Sequence, residues 1–99
     1  MSETEATTGD GVVEFYWRPG CGFCAALERN LTKLGLPFEK HDIWSDPDAA
    51  AFVRSVADGN ETVPTVRVGD TSMVNPRPGQ VVDAVRQHLP HLLPADAGV

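Results

Sequence analysis

The spacing of apolar residues changes period along this chain, and each change marks an element. Residues 12–17 read Val-Val-Glu-Phe-Tyr-Trp, a short β-branched and aromatic run that suits a buried central strand, apolar on both faces. From Phe23 the period lengthens. Cys24, Leu27, Leu31 and Leu34 follow one another at helical intervals and form one helix face. Gly35, Leu36 and Pro37 then stop it: glycine takes the left-handed cap, leucine covers the last turn and proline prevents continuation. Residues 38–43, Phe-Glu-Lys-His-Asp-Ile, are more polar and read as an edge strand. A second helix is predicted over 45–58, capped by Ser45 or Asp46, with Pro47 in its first turn and Phe52, Val53 and Val56 as its apolar stripe. Residues 62–70 give a strand, Gly69-Asp70 a turn and residues 71–74 a short return strand, the pattern of a hairpin. Val81, Val82, Val85 and Leu89 mark a last helix, and Pro90 and Pro94 leave the end of the chain without regular structure.

The resulting order is β-α-β-α-β-β-α, an α/β fold class with no repeat and no internal linker. The strand–helix–strand unit requires a right-handed crossover and parallel pairing. The hairpin adds antiparallel strands, so a four-stranded mixed sheet with helices on both faces is expected. Residues 11–90 read as one domain between an acidic tail, 1–10, and a second tail, 91–99, both expected to be flexible. The net charge of −6, part of it from Glu3, Glu5 and Asp10, argues against nucleic-acid or anionic-lipid partners. No apolar run approaches the ~20 residues of a membrane helix, and the first residues do not resemble a signal peptide. A cytoplasmic location is expected, where a close cysteine pair is more often catalytic or metal-binding than structural.

That pair is Cys21 and Cys24, the two cysteines of the chain, in Trp17-Arg-Pro-Gly-Cys-Gly-Phe-Cys24. Cys21 falls where the first strand gives way to the helix. Unpaired backbone N–H groups and the positive end of the helix dipole there favour a thiolate. Arg18 adds a fixed positive charge nearby. Cys24, one turn further in, loses the end effect and is expected to be less exposed and to hold its proton more tightly. Cys21 is therefore the nucleophile toward a disulfide and Cys24 the group that resolves the mixed disulfide. The spacing lets the two close one reversible disulfide, and Gly20 and Gly22 leave room for an incoming thiol. Zinc is disfavoured: four ligands are needed, and His41, His88 and His91 lack ligand spacing and read as solvent-facing. No metal site is assigned.

With the Cys-x-x-Cys helix, the second strand and Thr62-Val63-Pro64 in place, the chain resembles the glutaredoxin branch of the thioredoxin superfamily over roughly residues 12–89. The resemblance implies a thioredoxin-like fold with strand order 2-1-3-4. It implies that Pro64 is cis and faces the thiols, and that the Val63 backbone pairs with a bound partner like an added strand. Glutathione-using members carry a Gly-Gly pair and then an Asp at the start of the last helix, which holds the γ-glutamyl end of glutathione. Here that stretch reads Val74-Asn-Pro-Arg-Pro-Gly79, without the glycine pair or a carboxylate. The stretch is similar to that of mycoredoxins, whose co-substrate mycothiol lacks the glutamyl group. Asn75 would then bond a sugar or inositol hydroxyl, or simply cap the last helix, and Trp17 or Phe23 would cover the ring. Trp17 and Trp44 otherwise read as packing residues.

The implied activity is reduction of mixed disulfides between proteins and a low-molecular-weight thiol, mycothiol before glutathione, with no tightly bound cofactor. The implied partners are S-thiolated proteins and the thiol with its reductase, and the expected state is a monomer. A thioredoxin-like electron donor to a protein such as ribonucleotide reductase is one alternative. A carrier of a [2Fe–2S] cluster is another, as some relatives with Cys-Gly-Phe beginnings hold a cluster between subunits.

Overall fold

The computed structural model describes residues 11–93. Four strands, β1 (Val13–Trp17), β2 (Glu39–Asp42), β3 (Thr65–Val68) and β4 (Thr71–Val74), form one sheet in the order β2-β1-β3-β4. Three helices, α1 (Gly22–Lys33), α2 (Pro47–Val56) and α3 (Pro78–His88), complete the expected order, and a 3₁₀ turn, Pro90–Leu92, follows. β1 and β2 run parallel through the α1 crossover, while β1–β3 and β3–β4 are antiparallel.

Alternation along β1 divides the interior in two. Val13 and Phe15 face α1 and α3, where Leu27, Leu31, Val66, Val81 and Val85 close the larger core. Tyr16 faces α2 and packs with Ile43, Ala49, Ala50 and Val53. The expectation that β1 is apolar on both faces fails at Glu14, which shares the α2 face and is only 9% exposed. Its Oε1 accepts a bond from the Tyr16 hydroxyl at 3.2 Å and lies 3.3 Å from His41 Nε2. His41 is half-buried and stacked on the Tyr16 ring at 5.0 Å, so it is not the solvent-facing histidine its sequence context suggested.

The helix ends explain the other departures. Leu34 is the C-cap of α1 and is 40% exposed, so it does not continue the buried stripe. Gly35, at φ +76°, turns the chain there, and the Leu36 and Gly35 N–H groups donate to the Leu31 and Thr32 carbonyls. The buried position passes to Leu36. In α2 the cap is Asp46, whose carboxylate accepts from the Asp48 and Ala49 N–H groups. The helix buries Ala49, Ala50 and Val53, while Phe52 and Val56 are only half-buried. Ala84 joins the core from α3 and Val82 stays half-buried. Past Pro90 the chain still has structure: Leu92 and Leu93 lie against the larger core. The two predicted tails otherwise fall on residues 1–10 and 94–99, outside the described residues.

Candidate active site

The C-terminal end of β1 delivers the chain through Arg18-Pro19-Gly20 to Cys21, which caps α1. Gly20 makes this turn at φ +79°, and a Cβ there or at Gly22 would meet no atom within 4 Å, so the approach to Cys21 is open. Cys21 has extended backbone, and its sulfur accepts the Cys24 N–H at 3.3 Å. This replaces the oxygen cap that most helices carry with a sulfur. The half-buried Cys21 Sγ also lies 3.8 Å from the Val63 carbonyl, to which its S–H donates. The Val63–Pro64 peptide bond is cis, and Pro64 is buried.

Cys24 is 2% exposed and packs in the larger core. Burial, followed by the interaction with Cys21, pushes its thiol up to about 12. Both cysteines are free thiols. No group of three or more His, Cys, Asp or Glu side chains among the described residues is placed to hold a metal ion.

Next to the cis-proline turn, a groove of about 320 Å³ runs between α1 and the segment leading into α3. Phe23, Ala26, Leu27 and Asn30 form one wall, and Pro64, Asn75, Pro76, Arg77 and Pro78 the other. Phe23 is 74% exposed at its mouth. Asn75 adopts φ +53°, which asparagine tolerates better than most residues, and its N–H donates to the Pro64 carbonyl at 2.7 Å. Asn75 is not the helix cap. Arg77 is, with its N–H donating to Gln80 Oε1 at 2.8 Å. An arginine side chain has no acceptor, so the capping box is made in one direction only.

Cys21, Cys24, Val63 and Pro64 are thus brought together, and Phe23 and Asn75 lie along the adjoining groove. Thr62 stands at the start of the cis-proline turn, where its carbonyl accepts the Thr65 hydroxyl at 2.8 Å. Trp17 and Arg18 also have partners outside the groove. Trp17 packs against the larger core with Lys40 Nζ 4.4 Å from its ring centre, and Lys40 is paired with Glu28 at 2.9 Å. The Arg18 guanidinium lies 5.4 Å over the Trp44 ring and donates to the Pro19 carbonyl, and its charge still acts on the Cys24 thiol, against the effect of burial. Trp44 itself is 64% exposed, a surface residue rather than a packing one. Asn30 and Arg77 were not singled out in the sequence. The signal for Asn30 was its place in the helical interval 23, 26, 27, 30, a single face of α1.

A description of the glutaredoxin family matches residues 13–73. A Mycobacterium tuberculosis protein assigned to the glutaredoxins is 40% identical over 67 residues, which span 67% of this chain and 80% of that protein. Mycoredoxin 1 of Corynebacterium glutamicum is 37% identical over 71 residues, 71% of this chain and 87% of its own length. Among solved structures, the glutaredoxin-like NrdH-redoxin of Escherichia coli, described as having a thioredoxin-like activity profile, superposes with a TM-score of 0.62 at 31% identity, covering 72% of this chain and 91% of that one.

Proposed function

The chain belongs to the glutaredoxin family and is a thiol–disulfide oxidoreductase, and from that premise we propose that it frees S-thiolated proteins of a low-molecular-weight thiol, mycothiol in preference to glutathione. The Cys21 thiolate attacks the small-thiol sulfur of the mixed disulfide. A Cys21–thiol disulfide forms, the S–S bond to the target protein's sulfur breaks, and the departing protein thiolate takes a proton from solvent. A second small thiol, as thiolate, then attacks the sulfur carried on Cys21. It leaves as the symmetric disulfide, which a separate reductase returns to two thiols, and Cys21 is restored. Val63 and Pro64 align the incoming disulfide, and Phe23 and Asn75 hold the small thiol.

The observation that carries this reading is that the groove next to Pro64 has no carboxylate among its lining residues, where the resemblance to glutathione-using glutaredoxins implies an aspartate. The route through one thiol is favoured because Cys24 is buried and its proton is tightly held. Side-by-side turnover of one target protein carrying mycothiol or glutathione tests the thiol, and the higher kcat/KM is expected for mycothiol. Cys21→Ser abolishes turnover of either. Cys24→Ser retains turnover of the mycothiol adduct, and a dead Cys24→Ser protein would refute the one-thiol route.

The similarity to the NrdH-redoxin supports a second reading, an electron donor to a protein, recharged as the Cys21–Cys24 disulfide by a flavoprotein reductase. Rapid reduction of the oxidised protein by thioredoxin reductase, with no response to mycothiol and its reductase, would favour it.

A further inference from the structure

The stretch Glu61-Thr62-Val63 lies between two anchored ends. On one side α2 closes at Val56, and Asp58 and Gly59, at φ +56° and +85°, reverse the chain. The Gly59 N–H donates to the Arg54 carbonyl at 2.8 Å. The Asn60 N–H and its side-chain amide both donate to the Ala57 carbonyl, at 3.0 and 3.1 Å. On the other side the Pro64 carbonyl accepts the Asn75 N–H, and Thr65 enters β3 opposite Tyr16.

The ties of the stretch itself differ in what they hold. The Thr62 carbonyl accepts the Thr65 hydroxyl at 2.8 Å, a local bond that reaches no other element. The Val63 carbonyl accepts the Cys21 S–H at 3.8 Å. That bond ends when Cys21 gives up its proton to attack, so the Val63 carbonyl is released just as a target is to be aligned on it. Glu61 Oε2 accepts from Arg54 Nη1 at 2.6 Å, an ion pair reaching back to the last turn of α2. The helix dipole favours a cation at the Arg54 position. Neither partner depends on the state of the sulfur, so this link to α2 lasts through the exchange.

We propose that Arg54 and Glu61 are positioning residues, whose ion pair holds the stretch before the cis-proline turn in the form that receives the backbone of a target polypeptide. The inference rests on the proposed alignment of the incoming disulfide by Val63 and Pro64. It adds a pair outside the thiol groove that bears on the protein half of the mixed disulfide and not on the small thiol.

The test uses the full chain and two substrates that separate those halves. One is a target protein carrying mycothiol. The other is the mixed disulfide of mycothiol with 2-mercaptoethanol, which has no backbone to align. An exposed ion pair is a modest tie, so Glu61→Gln and Arg54→Gln are each expected to raise KM for the protein adduct about two- to fivefold with kcat unchanged. Both constants for the 2-mercaptoethanol adduct stay at their wild-type values. Exchanging the charges, Arg54→Glu with Glu61→Arg, returns KM for the protein adduct to the wild-type value. An unchanged KM in the single variants, equal losses on the two substrates, or an exchanged pair no better than the singles would overturn the role of the pair and leave the proposed activity standing. A wild type that prefers glutathione adducts would overturn the proposed thiol alone, and the same comparison on the two glutathione adducts then decides the pair. A wild type that turns over neither protein adduct would overturn the proposed activity and this inference with it. Both side chains are exposed, so the variants fold.

Discussion

Cys21 and Cys24 are separated by two residues and meet different surroundings, one half-exposed at the start of a helix, the other 2% exposed beneath it. Reactivity follows that difference. With its thiol pushed up to about 12 by burial and by Cys21, Cys24 is almost wholly protonated at neutral pH. Iodoacetamide at neutral pH is expected to alkylate Cys21 and spare Cys24, which becomes reactive only on unfolding; peptide mapping after short labelling checks this. Closure of the Cys21–Cys24 disulfide should quicken as pH rises into the alkaline range, because Cys24 attacks as its thiolate. Stopped-flow loss of small thiol from S-thiolated Cys21 reads that rate. At this scale the sequence spoke clearly where chemistry is local. The cysteine spacing and the strand-to-helix junction at Cys21 need no distant partner to be read. Trp44, His41 and Asn30 do: whether a tryptophan after a strand packs inward, or a histidine stacks on Tyr16, depends on how α2 lies across the sheet.

Among the elements, the sequence signals fixed identity more firmly than ends. Asp46 caps α2 through two backbone bonds, at 3.0 and 3.3 Å. Asp46→Ala is expected to cost about 1 kcal/mol, seen as a lower urea midpoint with unchanged slope. Its neighbour Ser45, an equal candidate by residue type, is not the cap, and nothing in the spacing chose between them. The α1 stripe ran one residue too far because a period of three and four cannot see the left-handed turn at Gly35. Once the chain turns, Leu36 occupies the buried position that Leu34 would have filled. Leu36→Ala should therefore destabilise by ~2–5 kcal/mol and Leu34→Ala by much less, a contrast that denaturation of the two variants measures. The hairpin was legible because Gly69-Asp70 fits a two-residue loop between β3 and β4, with Val68 opposite Thr71.

The molecule as a whole places its reactive sulfur at one end of the sheet and a polar cluster of Glu14, Tyr16 and His41 on the α2 face. Burial, and then the Glu14 carboxylate, push the Tyr16 hydroxyl up, and burial does the same to the Cys24 thiol. Both groups hold their protons more tightly folded than unfolded. The stability this provides is complete below their unfolded values, near 8.5 for Cys and 10 for Tyr. It is lost as pH climbs beyond them. The urea midpoint should fall between pH 8 and pH 10.5, and less steeply in Tyr16→Phe. No helix among the described residues is long and apolar enough to cross a membrane. The two tryptophans offer an optical handle on all of this. Trp17 is half-buried under Lys40, whereas Trp44 is 64% exposed beneath the Arg18 guanidinium. Aqueous quenchers would therefore silence the emission of one indole well before the other, and a chain keeping Trp44 alone would make the turn after β2 a fluorescent gauge of what docks on it.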